Sequence, residues 1–267
     1  MSNPPSILIT GGSSGLGRAL AEEAGARGYR VAIADIHETR GEELCALLRE
    51  QEVENMFIAC DVRREADLRR AVDRILHRWQ QLDVMVNNAG IAGAGLFETI
   101  PSSEWDRLLD TNLMGVVRGC RAALRPMKQR GQGHIVNIAS MAGLVPPPGM
   151  SHYNVAKAGV VSLSESLRAE LAPLGLHVTV VCPSFFRTNL SESLRAPDPV
   201  TTARFERLLE RSDITAEEIA KMTLDAVEKK KFLALPHPEA RRAWRMKRWF
   251  PERFYRAMEG LGAKLRR

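Results

Sequence analysis

Ile7-Leu8-Ile9-Thr10-Gly11-Gly12-Ser13-Ser14-Gly15-Leu16-Gly17 is the stretch on which the reading of this chain turns. A short, continuous apolar run is what a strand buried on both faces of a parallel sheet requires. Glycines directly behind it let the backbone bend sharply and approach a pyrophosphate closely. The apolar pattern that resumes at Leu16 opens a helix, whose free N–H groups and positive dipole end would face the anion. Strand, glycine turn and helix in that order predict a phosphate-binding turn.

Working outward, β-like runs recur at 30–34, 56–60, 84–86, 134–139, 177–181 and 232–235. Amphipathic helical patterns separate them at 16–27, 38–51, 65–79, 103–130, 151–171 and 216–229. Such alternation predicts an α/β, doubly wound fold: one seven-stranded parallel sheet with helices on both faces. No internal boundary shows before residue 236, so residues 1–236 read as one domain. In such a sheet ligands bind beyond the carboxyl ends of the strands, and candidate chemistry is sought just after each one.

The second strand ends at Asp35. A carboxylate there can accept hydrogen bonds from ribose hydroxyls and would repel the extra phosphate of NADP, so NAD is expected. Arg18 and Arg40 lie near enough in sequence to keep NADP as the alternative, and Asp35 could instead cap the following helix. The small residues of Asn88-Ala89-Gly90, after the fourth strand, let a cofactor lie close to the backbone. On a helix, Tyr153 and Lys157 share one face. A phenol beside an ammonium has its pKa lowered and can exchange a proton with an alcohol or carbonyl oxygen.

The glycine spacing, T-G-x-x-x-G-x-G, with Asn-Asn-Ala-Gly at 87–90 and Tyr-x-x-x-Lys at 153–157, resembles the short-chain dehydrogenase/reductase family. The matches come in the family's order and cover most of residues 6–190. The resemblance implies a Rossmann-type fold and hydride exchange with a nicotinamide. It implies cofactor contacts at Gly11, Ser13, Ser14, Gly15, Leu16, Gly17, Asp35, Asp61, Val62, Asn88, Ala89, Gly90, Tyr153, Lys157, Pro183 and Thr188. Asp61 would meet the adenine amino group, with helix capping as the rival role, and Asn87 would mainly steady the sheet. Ser140, thirteen residues before Tyr153, would orient the substrate oxygen and stabilise charge on it. Tyr153 would be the acid/base, Lys157 would lower its pKa and hold the nicotinamide ribose, and Asn112 would support a proton relay to Lys157. Ser184 departs from the glycine common there. Serine is small, so no loss of function is expected. Thr188 would bond the carboxamide. A homodimer or homotetramer is implied.

Composition bounds the rest. The 267 residues are 45% hydrophobic, as in an ordinary globular protein. No N-terminal signal pattern and no membrane-length apolar run is found, so a cytoplasmic protein is expected. Cys45, Cys60, Cys120 and Cys182 have no metal-ligand spacing, so no metal is expected and the thiols read as reduced and buried. The net charge of +6 sits in residues 237–267, which hold ten Lys/Arg against three Asp/Glu. The remainder is almost neutral. That basic, aromatic-rich extension carries Trp244, Trp249, Phe250, Phe254 and Tyr255, with Pro251 as a helix breaker or restart. A packed extension, a flap, a peripheral membrane contact and an acidic-partner surface all fit it. Nucleic-acid binding is not expected, since no reading module is present.

The loop 185–213, with Phe185, Phe186, Leu190, Leu194 and Phe205, and the stiff Pro146–Met150 wall read as a substrate site for a lipophilic molecule. The leading expectation is an oxidoreductase acting between NAD(H) and a lipophilic secondary alcohol or ketone. The alternatives are a reductase of a long-chain acyl thioester or aldehyde with NADP(H), and a non-enzymatic nucleotide-binding redox sensor.

Overall fold

The computed structural model describes residues 3–210 and 213–266. Seven strands form one parallel sheet in the order β3-β2-β1-β4-β5-β6-β7. They are β1 (Ser6–Thr10), β2 (Arg30–Asp35), β3 (Asn55–Ala59), β4 (Val84–Asn87), β5 (Gly133–Ile138), β6 (Leu176–Val181) and β7 (Leu233–Ala234). The last covers only two of the four residues expected.

Alternation along the strands feeds two cores. Ile7, Ile9, Val31 and Ile33 pack on one face, against α1 (Gly15–Ala26), α2 (Glu38–Glu50) and α8 (Ala216–Glu228). Leu8, Ala32, Ala34 and Met85 pack on the other, against α3 (Glu65–Trp79), α5 (Gly115–Arg130) and α6 (Ser151–Leu171). Leu16, Leu20 and Ala24 of α1, at fourfold spacing, are the residues that face the sheet. Each such side chain, once fully buried, contributes about 1.5–3 kcal/mol. Thr215 starts α8 with a reciprocal capping box to Glu218.

The expected long helix at 103–130 is interrupted. α4 (Ser102–Leu109) runs into a π turn at Asp110–Met114 before α5, with the Gly115 N–H bonded back to the Asp110 carbonyl. Such widened turns arise where a side chain inside the helix is held from outside. Here the Asn112 amide is held by both backbone groups of Ile91.

Three helices fall where no helix was assigned. α7 (Pro199–Glu210) lies inside the expected substrate loop. α9 (Pro238–Trp249) and α10 (Pro251–Leu265) make up the basic extension. Proline at the first position of each starts the helix, because its missing N–H would be unpaired there anyway. All four cysteines are free and buried.

Candidate active site

Because the strands are parallel, their carboxyl ends share one edge, and the strand order reverses direction between β1 and β4. The two loops that meet there are tied together. Thr10 Oγ1 accepts the N–H groups of Asn88 and Ala89, at 3.0 and 3.2 Å. The Asn88 side-chain amide donates to the carbonyls of Thr10 and Gly11, both at 3.0 Å. Gly11 has φ +60°, and a Cβ there would stand 2.8 Å from the Ala89 Cα. At Gly17 a Cβ would drive into the Gly11 carbonyl. The glycines thus allow two backbone segments and a helix to close on one point.

Asp35 is buried and accepts a hydrogen bond on each oxygen. Its carboxylate accepts the Ser13 N–H and the His37 N–H, each at 3.0 Å. Asp35 thus stands on the cleft wall and does not cap the following helix, whose N-cap is His37 with no side-chain cap bond. Asp61 is gripped through both oxygens by Arg63, whose guanidinium holds its carboxyl below the usual carboxylate range. Asn87 lies beneath the cleft, bonding Asn137 at 2.9 Å, and Asn137 bonds Ser164.

These loops line a cleft of about 830 Å³ that runs from Asp35 and Asp61 past the glycine turn to Ser140, Tyr153 and Lys157. Gly11, Ser14, Gly15, Leu16, Val62, Asn88, Ala89, Gly90, Pro183 and Thr188 also line it. Ser13, Gly17 and Asn112 are brought to its back instead. Ser13 and Asn112 are buried, and the Ser13 hydroxyl has no hydrogen-bond partner. The Asn112 carboxamide stands behind Gly90, where an added Cβ would lie 3.3 Å from it and 3.7 Å from Lys157 Nζ.

At the centre, β5 delivers Ser140 and α6 delivers Tyr153 and Lys157. The Ser140 hydroxyl donates to the Pro183 carbonyl at 3.3 Å and accepts the Ala142 N–H at 3.1 Å, with the Tyr153 phenol close by. Burial pushes the Tyr153 phenol up to about 12, with the Ser140 hydroxyl opposing it. Burial pulls the Lys157 amine down to about 8. Lys157 Nζ donates to the Ile138 carbonyl at 2.9 Å and stands 5.8 Å from the centre of the Tyr153 ring. The lowering of the phenol expected from Lys157 is therefore absent here: burial dominates, and the ammonium is anchored to the strand end.

The segment after β6 folds over the cleft. A Cβ on Gly15 would lie 2.6 Å from Thr188 Oγ1. Ser193 Oγ accepts the Ala92 N–H at 2.8 Å, and Glu192 pairs with Arg40 of α2 at 2.9 Å. Beyond Tyr153, Ala92, Ala94, Met150, Phe205 and Leu209 form a separate apolar cluster, with Phe185, Leu190 and Leu194 against it.

The extension also reaches the site. Glu239, Ala240 and Ala243 of α9 line the cleft, and His237 Nδ1 accepts the Ser184 N–H at 3.1 Å. Sequence reading missed these residues, and Glu192 opposite Arg40, because no spacing marks them. The only signal was that tryptophans in the tail need somewhere to pack, and Trp244 does pack on the core.

Whether these residues suit a dinucleotide can be judged from the turn itself. Its glycines leave room that any side chain would fill, an orphaned hydroxyl sits beside it, and carboxylates mark the end remote from Tyr153. All three fit. Among the described residues no cluster of His, Cys, Asp and Glu could hold a metal ion.

Comparison with known proteins agrees. The family model described as short chain dehydrogenase matches residues 5–199. The chain is 36% identical over 189 residues to 2-(R)-hydroxypropyl-CoM dehydrogenase of Xanthobacter autotrophicus, covering 69% of this chain and 76% of that one. It is 33% identical over 190 residues to the 3-oxoacyl-[acyl-carrier-protein] reductase FabG of Staphylococcus aureus, covering 71% and 77%. A short-chain dehydrogenase/reductase from Burkholderia phymatum, solved in complex with NAD, superposes with a TM-score of 0.89 at 27% identity, covering 94% and 96%. The chain belongs to the short-chain dehydrogenase/reductase family and is an NAD(P)-dependent oxidoreductase with a Rossmann-type fold.

Proposed function

We propose that this enzyme moves a hydride between NAD(H) and a lipophilic secondary alcohol or ketone. The observation that carries the reading is the position of the Tyr153 phenol. With Ser140 it lines the junction of the glycine-turn cleft and the apolar cluster of Met150, Phe205 and Leu209. The dinucleotide, when bound, supplies the hydride acceptor or donor.

The chain's own residues supply the proton. Ser140 holds the substrate oxygen, Tyr153 takes the hydroxyl proton in oxidation or returns it in reduction, and Lys157 holds the nicotinamide ribose. Asn112 supports the proton relay by keeping the loop at Gly90 and Ile91 beside Lys157. Thr188 faces the glycine turn, where it can take the carboxamide. Asp35 and Asp61 take the adenosine end. The choice of NAD rests on Asp35 and on Glu192, which pairs with Arg40, a cation on the wall of that end.

A reductase of a long-chain acyl thioester or aldehyde with NADP(H) is the second reading. Arg40, together with Arg107 and Arg195 on the cleft wall, favours it.

Tyr153→Phe tests the assignment. Turnover should fall by about 10³-fold, within the range for loss of a general acid/base, while the melting temperature and NADH affinity hold. In the wild type, alcohol oxidation should rise with pH, because the phenolate is the active base and burial keeps the phenol protonated at neutral pH. A graded series of alcohols and ketones, followed by absorbance of the reduced cofactor, should show kcat/KM rising with apolar size. A flat series would reject the lipophilic reading. Residual turnover near wild type in the phenylalanine variant would reject the mechanism.

A further inference from the structure

The α9–α10 hairpin has an occupied inner face and an unoccupied corner. Inside, Ala240, Trp244 and Phe254 pack on the sheet layer or on the partner helix, with Lys247 Nζ 6.0 Å from the Phe254 ring. At the corner, Trp249 is 71% and Phe250 65% exposed, the most open aromatic pair on adjacent residues. Arg245 and Arg248 precede this corner and Arg253 and Arg256 follow it, all exposed. Among the described residues these four make no ion pair, whereas Arg266, at the far end of α10, pairs with Glu98 at 2.7 Å.

Two adjacent aromatic rings on a projecting corner offer no groove for a folded partner. They do suit the boundary between headgroups and acyl chains, where tryptophan is at home. Unpaired guanidinium groups on both sides match a surface of anionic phosphates, each gaining from the negative surface potential. We propose that the α9–α10 corner docks on an anionic bilayer, with Trp249 and Phe250 in the interface and the flanking arginines on lipid phosphates.

The hairpin is fixed to the cleft it borders. Lys247 donates to the Leu144 carbonyl at 2.7 Å, and Leu265 abuts Gly149. Docking would therefore bring the cleft mouth to the lipid surface, so that substrate could enter from the bilayer. That consequence rests on the lipophilic-substrate reading; the docking does not. No helix among the described residues is long and apolar enough to cross a membrane, so the contact is with one surface.

The test is co-sedimentation of the full chain with vesicles of phosphatidylcholine alone, or of phosphatidylcholine and phosphatidylglycerol in equal parts. Binding should appear only with the anionic vesicles and weaken as salt is raised. Trp249→Ala/Phe250→Ala should lower the partition coefficient about tenfold, with turnover of a water-soluble alcohol unchanged. Arg245→Gln/Arg248→Gln/Arg253→Gln/Arg256→Gln should lower it as well. Failure of the wild type to bind anionic vesicles at low salt would overturn the proposal, as would binding indifferent to the aromatic pair. Gel filtration of the aromatic variant supplies the remaining check: dissociation of an oligomer would identify the corner as a contact between copies of this chain and overturn membrane docking. Because vesicle binding needs no catalysis, its failure leaves the hydride-transfer reading standing.

Discussion

The glycine turn at 11–17 and the helical hairpin at 238–265 border the same cleft, yet they are held in place by different physics. The turn is fixed locally. Its backbone geometry forbids side chains, and Thr10, Asn88 and Asp35 tie it to neighbouring strand ends. The hairpin is fixed by dispersed contacts: a few buried side chains, one histidine on a backbone N–H and one lysine on a carbonyl. The family match, which stops at residue 199, covers the first region and none of the second. The turn thus leaves almost no room for substitution, whereas the hairpin depends on several separate contacts.

Substitution can break or sharpen that contrast. The largest effect is expected at Gly11→Val. A Cβ at φ +60° and 2.8 Å from the Ala89 Cα forces the two loops apart. Stability should fall by about 2–3 kcal/mol in a urea titration, and the Kd for NADH should rise at least about tenfold. Wild-type values for both would mean that the turn is less constrained than its geometry indicates.

His237→Ala should have an intermediate effect. It removes the acceptor of the Ser184 N–H and loosens the segment from Pro183 to Thr188. A loss of about 1–2 kcal/mol is expected. The change in kcat/KM should exceed that of the Trp249→Ala/Phe250→Ala variant on the same soluble alcohol. Equal effects would show that the start and the corner of the extension are not functionally distinct.

The smallest effect is expected at Glu192→Gln. The Arg40–Glu192 pair is about half exposed and adds little to stability. Releasing Arg40 should raise kcat/KM for NADPH several-fold and leave NADH nearly unchanged. Adding Arg40→Gln should cancel the gain. If NADPH use does not improve, Asp35 alone governs the choice of cofactor.

Much of the fold was readable because burial on both sheet faces imposes continuous apolar strands, and each helix shows one apolar stripe. The π turn at Asp110–Met114 was not readable, since the cause is a side-chain bond to Ile91, twenty-one residues away in sequence. Helix α7 was hidden because segment 199–210 opens on a proline and, among its described side chains, fully buries just Phe205 and Leu209.

By itself, the sequence determined the parallel sheet, the glycine turn, and the placing of Tyr153 and Lys157 on one helical face. Each of those follows from local periodicity or from a backbone conformation that few residues can adopt. Only the tertiary structure decided that Ser140 and Tyr153 share one cleft wall, that Lys157 is anchored on Ile138, and that His237 and α9 complete the cleft. Those contacts join residues from separate strands and helices, and their existence depends on how the layers pack rather than on any spacing along the chain.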